Sequence, residues 1–289
     1  MLLDLVKLSR PKDWIKNVFV FMPVPFALSA GGDLNLARFA LGLLAFCFAN
    51  SAVYTLNDLL DAERDRMHPK KKNRPIAAGR ISPTVAVFWC SGLIISGLLI
   101  EYFAAGNQAT LIFVVYFLSN VFYSWRGKHI ALVDVFLLAS GFLLRVLLGC
   151  ALLGVPASNW LLLCSSSLAL FLALAKRWGD LAKGLDEDHR PSLAGYNRPY
   201  LDQAMSIMSG VTLISYALYT MEADVLIQGR EFASLPFVLF GVLEYLRIVH
   251  VHEEGGSPVD LLLSSPTIIF CGVGWTAATL WSVQMPSLF

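Results

Sequence analysis

Apolar residues recur along the chain in blocks broken by short polar segments, at 16–31, 36–56, 82–104, 108–125, 131–153, 158–175, 204–221, 232–250 and 264–284. A helix of about 20 residues is what it takes to cross the hydrocarbon core of a bilayer. Barrel strands would be shorter and would alternate apolar with polar positions. The pattern therefore predicts an all-α fold, a polytopic membrane helical bundle of about nine transmembrane helices forming one integral-membrane domain over residues 1–289. Two blocks are irregular: Pro23 and Pro25 should kink the first, and the eighth contains Glu244 and Arg247. Ahead of the first block, Leu2, Leu3, Leu5, Val6 and Leu8 interleave with Asp4, Lys7, Arg10 and Lys12, as in a short helix lying on the membrane surface before Pro11.

Composition agrees with the pattern. At 56% hydrophobic and 15% charged residues, the 289-residue chain is too apolar for a soluble enzyme, a nucleic-acid binder or a secreted module. Its five cysteines, Cys47, Cys90, Cys150, Cys164 and Cys271, all fall inside apolar blocks without metal-site spacing, and read as small buried hydrophobes. The net charge of +1 conceals an uneven distribution: 19 of the 22 Lys and Arg lie on the side of the N-terminus, only Arg38 and Arg230 lie opposite, and Arg145 is inside a block. That asymmetry places the N-terminus and the loops at 57–81, 126–130, 176–203 and 251–263 in the cytoplasm. Polar chemistry thus gathers at one face, whereas a transporter would set broken helices near mid-membrane.

The loop after the second block carries the most chemistry. In Asn57-Asp58-Leu59-Leu60-Asp61-Ala62-Glu63-Arg64-Asp65, helical spacing puts Asn57, Asp58, Asp61 and Asp65 on one face. Clustered carboxylates repel one another unless a cation neutralises them, and one or two Mg²⁺ ions suit such a set. A metal can also bridge carboxylates to a diphosphate, which they cannot bind directly. Downstream, His68-Pro69-Lys70-Lys71-Lys72-Asn73-Arg74-Pro75 supplies cations for phosphate oxygens, Arg74 with a planar two-point grip. Alone, a basic loop is an orientation signal and acidic residues at a helix end are solvated; their adjacency favours a phosphate–metal site.

At these residues the chain resembles a family. Asn57-Asp58-x-x-Asp61-x-x-x-Asp65, followed by Arg74-Pro75-Ile76-Ala77-Ala78-Gly79, is similar to the first aspartate motif of the UbiA superfamily of intramembrane prenyltransferases. Arg10-Pro11-Lys12-Asp13-Trp14-Ile15-Lys16-Asn17 and Asp65-Arg66-Met67-His68-Pro69-Lys70 resemble signatures of its decaprenyl-phosphate phosphoribosyltransferase branch. Tyr123-Ser124, Lys128 and Asp134 fit the family's middle region, and Lys176-Arg177 with Asp180 fit its second polar motif, with Asp for the usual Glu and Gly179 loosening the helix. The C-terminal third departs: Glu244-Tyr245 and Ser264-Ser265 stand where an Arg-Tyr pair and an Asp are usual, with Asp260 a few residues before the second.

The resemblance implies transfer of a 5-phosphoribosyl group from phosphoribosyl diphosphate (PRPP) to a polyprenyl phosphate lipid acceptor, with Mg²⁺ as cofactor. It implies Asp58, Asp61 and Asp65 as catalytic residues, Asn57, Asp58, Asp61, Asp65 and Asp180 as metal ligands, and Lys16, Asn57, Lys70, Arg74, Tyr123, Lys128, Asp134, Arg145, Lys176, Arg177 and Tyr196 as substrate contacts. Arg145, eleven residues and about 16 Å along a helix from Asp134, is equally readable as a structural pin between helices. The enzyme would sit in the inner (plasma) membrane with a cytoplasmic active site, bind no nucleic acid, and leave self-association open. The alternative is an isoprenyl transfer from its diphosphate to an aromatic acceptor.

Overall fold

The computed structural model describes residues 1–25, 35–67, 71–185, 190–223, 225–253, 261 and 264–283. They are almost entirely helical, and group into two compact units: Met1–Met22, Leu34–Gly127 and Leu144–Gly154 in one; Pro23–Asp33, Lys128–Leu143 and Val155–Phe289 in the other.

The first unit begins with α1 (Leu2–Ser9), the expected short amphipathic helix, with Leu5 and Leu8 buried and Leu2, Leu3 and Val6 exposed. A 3₁₀ stretch over Pro11–Phe21 follows. Then come α2 (Leu36–Leu60), α3 (Ala62–Met67), α4 (Pro83–Ile100, extended by a π turn over Glu101–Ala105) and α5 (Asn107–Trp125). The long helices start where a side chain accepts an orphan backbone N–H: Asn35 takes that of Arg38 at 3.0 Å, and Ser82 that of Val85 at 3.3 Å ahead of Pro83. Buried Ala45, Ala49 and Ala52 give α2 a smooth side. On α4, a Cβ added at Gly97 would lie 2.7 Å from the Phe113 ring and 3.2 Å from the Ala45 carbonyl oxygen. Small residues let helices approach closely where no hydrophobic drive separates protein from lipid.

Helix α6 (Val133–Leu153) contributes its second half to this unit. The Arg38 guanidinium donates to the carbonyls of Ala105 at 3.1 Å and Ala151 at 3.0 Å. The start of α2 therefore meets the last turns of α4 and α6, as alternating crossings require.

The second unit contains the first half of α6 with α7 (Asn159–Ala182), α8 (Arg198–Glu222), α9 (Leu235–Val251) and α10 (Pro266–Ser282). Phe171, Trp178, Leu201, Met205, Tyr245 and Val249 form its core. Thr212 Oγ1 donates to Ser167 Oγ at 2.9 Å and Trp178 Nε1 to Asp202 at 2.7 Å between α7 and α8.

Six of the expected spans are helices long and apolar enough to cross a membrane, among the described residues. The eighth and ninth appear as α9 and α10, each 17 residues. The first is a 3₁₀ stretch to Phe21, and its continuation from residue 26 lies outside the described residues. One local expectation fails: α7 runs unbroken through Gly179 to Ala182. Gly179 is buried there, and the helix continues through it without a loosened turn.

Candidate active site

Helix α2 stops at Asp61, whose N–H bonds the Asn57 carbonyl at 2.9 Å, and α3 resumes with the Asp65 N–H on the Asp61 carbonyl at 2.8 Å. Helical spacing thus survives the break, and Asp58 and Asp65, two turns apart, both turn inwards. They converge on Arg74, whose Nη1 lies 3.1 Å from Asp58 Oδ1 and 2.6 Å from Asp65 Oδ2. Arg10 adds a second cation, its Nη2 2.5 Å from Asp58 Oδ1.

Packing around both arginines explains their placement. Arg10 occupies the left-handed region at φ 45°, uncommon outside glycine, which turns the chain sharply between α1 and the 3₁₀ stretch. Arg74 heads a tight loop in which Ala78 N–H bonds the Arg74 carbonyl at 2.8 Å and Arg80 N–H the Pro75 carbonyl at 2.9 Å. Gly79 closes it at φ +72°, a conformation glycine adopts without strain. Ile76 and Ile81 sink into a core with Leu5, Leu8 and Ala86, so an apolar anchor fixes the basic loop. At its rim Arg80 Nε donates to Asp4 at 2.9 Å and holds that carboxyl below its ordinary range.

Around this pair the expected residues divide. Lys16 Nζ donates to Asp13 at 2.6 Å and to the Tyr54 hydroxyl at 2.8 Å, and Arg10 lies 4.8 Å from the Tyr54 ring centroid. The Asn57 side-chain oxygen accepts from Ser124 Oγ. Asp61, Tyr123 and Lys128 are half-buried, and Lys70 lies outside the described residues, as do Glu254 and Asp260. Arg145 is buried: its Nε donates to Asn17 at 2.9 Å, its Nη2 to Asn50 at 2.8 Å and the Tyr116 hydroxyl at 3.2 Å. It joins the N-terminal stretch, α2 and α5.

In the second unit, Asp134 finds its partner in Arg177, whose Nε lies 2.7 Å away, and both side chains are 0% exposed. Asp134 also accepts from Ser192 Oγ at 2.9 Å and from the Tyr196 hydroxyl at 2.7 Å, while that hydroxyl accepts the Leu132 N–H at 2.6 Å. Burial, and then donation to Asp134, push the Tyr196 phenol up from its usual range. Pro191–Gly195 is a 3₁₀ turn pressed onto Ala131, where a Cβ on Gly195 would come within 2.4 Å of the alanine Cβ. Arg177 Nη1 reaches Asp180 at 2.7 Å, and Lys176, next along α7, is half-buried.

The expected metal set is not assembled as an ion cage. Among the described residues no three His, Cys, Asp or Glu side chains converge to hold an ion. Asn57 is engaged by Ser124, Asp180 by Arg177, and guanidinium groups neutralise Asp58 and Asp65. The donor chemistry nevertheless fits Mg²⁺, since two carboxylates already point their oxygens at one cation. Arg10, Tyr54 and Ser192 were absent from the expected site. Arg10 sits within the N-terminal signature and Tyr54 one turn before Asp58, so both had a local signal. Ser192 had none beyond its loop.

Membrane-crossing helices with buried carboxylates and half-exposed arginines where one of them ends define an integral-membrane protein suited to an anionic substrate. A model of the UbiA prenyltransferase family matches residues 17–243. The decaprenyl-phosphate phosphoribosyltransferase of Corynebacterium glutamicum is 30% identical, over 99% of this chain and 88% of that protein. That of Mycobacterium tuberculosis is 31% identical, over 94% and 91%. A UbiA homologue from Archaeoglobus fulgidus, solved with DMAPP and Mg²⁺, superposes with a TM-score of 0.76 at 20% identity, covering 95% of this chain and 97% of that one. The chain belongs to the UbiA prenyltransferase family and is a membrane transferase.

Proposed function

We propose that this transferase moves a 5-phosphoribosyl group from PRPP to the phosphate of a polyprenyl phosphate. An acceptor phosphate oxygen bonds to the ribose C1 as the bond from C1 to the diphosphate breaks, and diphosphate leaves. The observation that carries this reading is the likeness, over nearly the full length of both chains, to two proteins named decaprenyl-phosphate phosphoribosyltransferase. The same likeness supports treating residues 1–289 as one transferase domain, in the inner membrane with its site facing the cytoplasm, where the sequence gathers its cations.

Asn57, Asp58, Asp61 and Asp65 would hold Mg²⁺, and bound there the ion would neutralise charge on the departing diphosphate; Asp180 would serve a second metal ion. Arg10 and Arg74, half-open to solvent above buried carboxylates, can turn to phosphate oxygens. Lys16, Lys70, Tyr123, Lys128 and Lys176 are further phosphate contacts. Asp134, Arg177, Tyr196 and Arg145 act as positioning residues, since their polar atoms already bind one another or buried amides. No general base is needed, because a phosphate monoester is anionic at neutral pH.

Purified protein with Mg²⁺, labelled PRPP and polyprenyl phosphate should yield labelled lipid. Turnover of an isoprenyl diphosphate with an aromatic acid, and none of PRPP, would overturn the reading in favour of the alternative. Asp61→Ala should abolish activity in protein that remains folded; a full rate at limiting Mg²⁺ would remove Asp61 from the site.

A further inference from the structure

A groove of about 420 Å³ opens between the N-terminal segment, α2 and α4, lined among others by Val6, Trp14, Phe48, Trp89, Gly92 and Ser96. Its volume is in the range of roughly 300–1,000 Å³ typical of small-molecule sites. The walls are apolar because their polar atoms are occupied elsewhere. Trp14 Nε1 donates to Ser51 Oγ at 3.0 Å, Ser51 Oγ to the Ser9 carbonyl at 2.8 Å, and Trp89 Nε1 to Ser9 Oγ at 3.0 Å. Two indoles thus present only ring surface to the space. At Gly92 an added Cβ would meet no atom within 4 Å, so the missing side chain leaves the groove open. Trp89 and Ser96 are two turns apart, about 10 Å along α4, and exposed Phe88 and Ile95 continue the apolar surface alongside.

A charge adjoins the groove: Ser9 and Pro11 line it, and Arg10, between them in sequence, carries its guanidinium to Asp58. A ligand fitting both parts has a single slender apolar chain ending in phosphate. A diacyl phospholipid has two chains and a head group beyond its phosphate, which would have to fit where Arg10 closes over Tyr54 and Asp58.

We propose that this groove seats the phosphate-proximal isoprene units of the polyprenyl phosphate acceptor, with the adjoining Arg10 taking the acceptor phosphate. The assignment rests on the proposed phosphoribosyl transfer. It gives Arg10 a second partner: on binding, the lipid phosphate draws the guanidinium from Asp58 and frees that carboxylate for the donor side.

Gly92→Leu tests this, because a Cβ at that position meets no atom within 4 Å and a longer side chain would occupy the groove, and Gly92→Ala serves as the mild variant. Gly92→Leu should raise KM for polyprenyl phosphate about tenfold or more with KM for PRPP unchanged, and Gly92→Ala should do so far less. A diazirine-bearing polyprenyl phosphate should label the 89–96 segment in wild-type protein. Unchanged acceptor KM in folded Gly92→Leu, or a rise confined to PRPP, would overturn the groove assignment while leaving the transfer reaction in place. Labelling by a photoactivatable phosphatidylglycerol, undiminished by excess polyprenyl phosphate, would give the groove to bilayer lipid and overturn it as well. Wild-type protein inert towards polyprenyl phosphate and PRPP would instead refute the reaction.

Discussion

Two clusters in this chain use the same ingredients, carboxylates and guanidinium groups, and differ in how they are enclosed. Asp58 and Asp65 are 2% and 4% exposed, yet the arginines that reach them, Arg10 and Arg74, are each 26% exposed. Asp134 and Arg177 are both fully enclosed. A half-open guanidinium can exchange a carboxylate for a phosphate oxygen without disturbing the fold. A sealed pair cannot, because leaving either charge alone in the interior is costly. We therefore propose chemistry for the first cluster and scaffolding for the second, where Asp134 ties α6 to α7 and to the 190–196 segment.

The largest effect that would break this comparison is on turnover. Asp65→Asn keeps the shape of the side chain and removes the charge facing Arg74, so initial rates of lipid labelling should fall by about 10²-fold or more. Thermal unfolding in detergent should change little, since Arg74 can turn to water. A near-normal rate in Asp65→Asn would end the claim that the first cluster is chemical.

Next in size is a stability effect at the second cluster. Arg177→Met leaves Asp134 buried with two hydroxyl donors and no cation, and should cost about 3–5 kcal/mol in a denaturation assay. Adding Asp134→Leu should recover most of that loss, because an apolar pair replaces an ion pair in a dry site at little net cost. No such rescue is expected for turnover when Asp58 and Arg74 are replaced together. If Arg177→Met instead left stability unchanged and raised KM for PRPP, Arg177 would belong with the substrate contacts.

How far these regions were legible in the sequence follows from the range of the interactions. Most helices were legible because their apolar blocks match a bilayer's thickness; bounds moved outward where a polar end continued the helix, as at Lys176–Ala182, and inward at the eighth and ninth blocks. The first cluster was legible because its carboxylates are local, two turns apart, and its arginine follows nine residues after Asp65. The second was not: Asp134 and Arg177 are 43 residues apart, and within α6 the visible candidate partner was Arg145. Arg145 takes its own partners from three distant elements, at Asn17, Asn50 and Tyr116. No spacing rule reports such a choice, which depends on which helices pack together. The metal expectation rested on carboxylate repulsion and on the family resemblance; the sequence did not show that Arg10 and Arg74 would also face those carboxylates.

The smallest effect concerns the rim of the first cluster. Arg80 donates to Asp4 but is 42% exposed, and its loop is held mainly by buried Ile76 and Ile81. Exposed pairs of this kind are screened by salt and contribute little. Arg80→Ala should therefore leave turnover within about twofold of wild type, unlike any change at Arg74. The sign of its pH effect is fixed: the Asp4 carboxyl is held low in the folded protein, so the pair's contribution is present above the ordinary Asp range and disappears as pH falls through the lowered value. Wild type and Arg80→Ala should accordingly differ at neutral pH and low salt, if at all, and converge in acid. A large loss of turnover in Arg80→Ala at neutral pH would extend the chemical cluster outward to the rim, and the boundary drawn here between half-open and exposed cations would have to move with it.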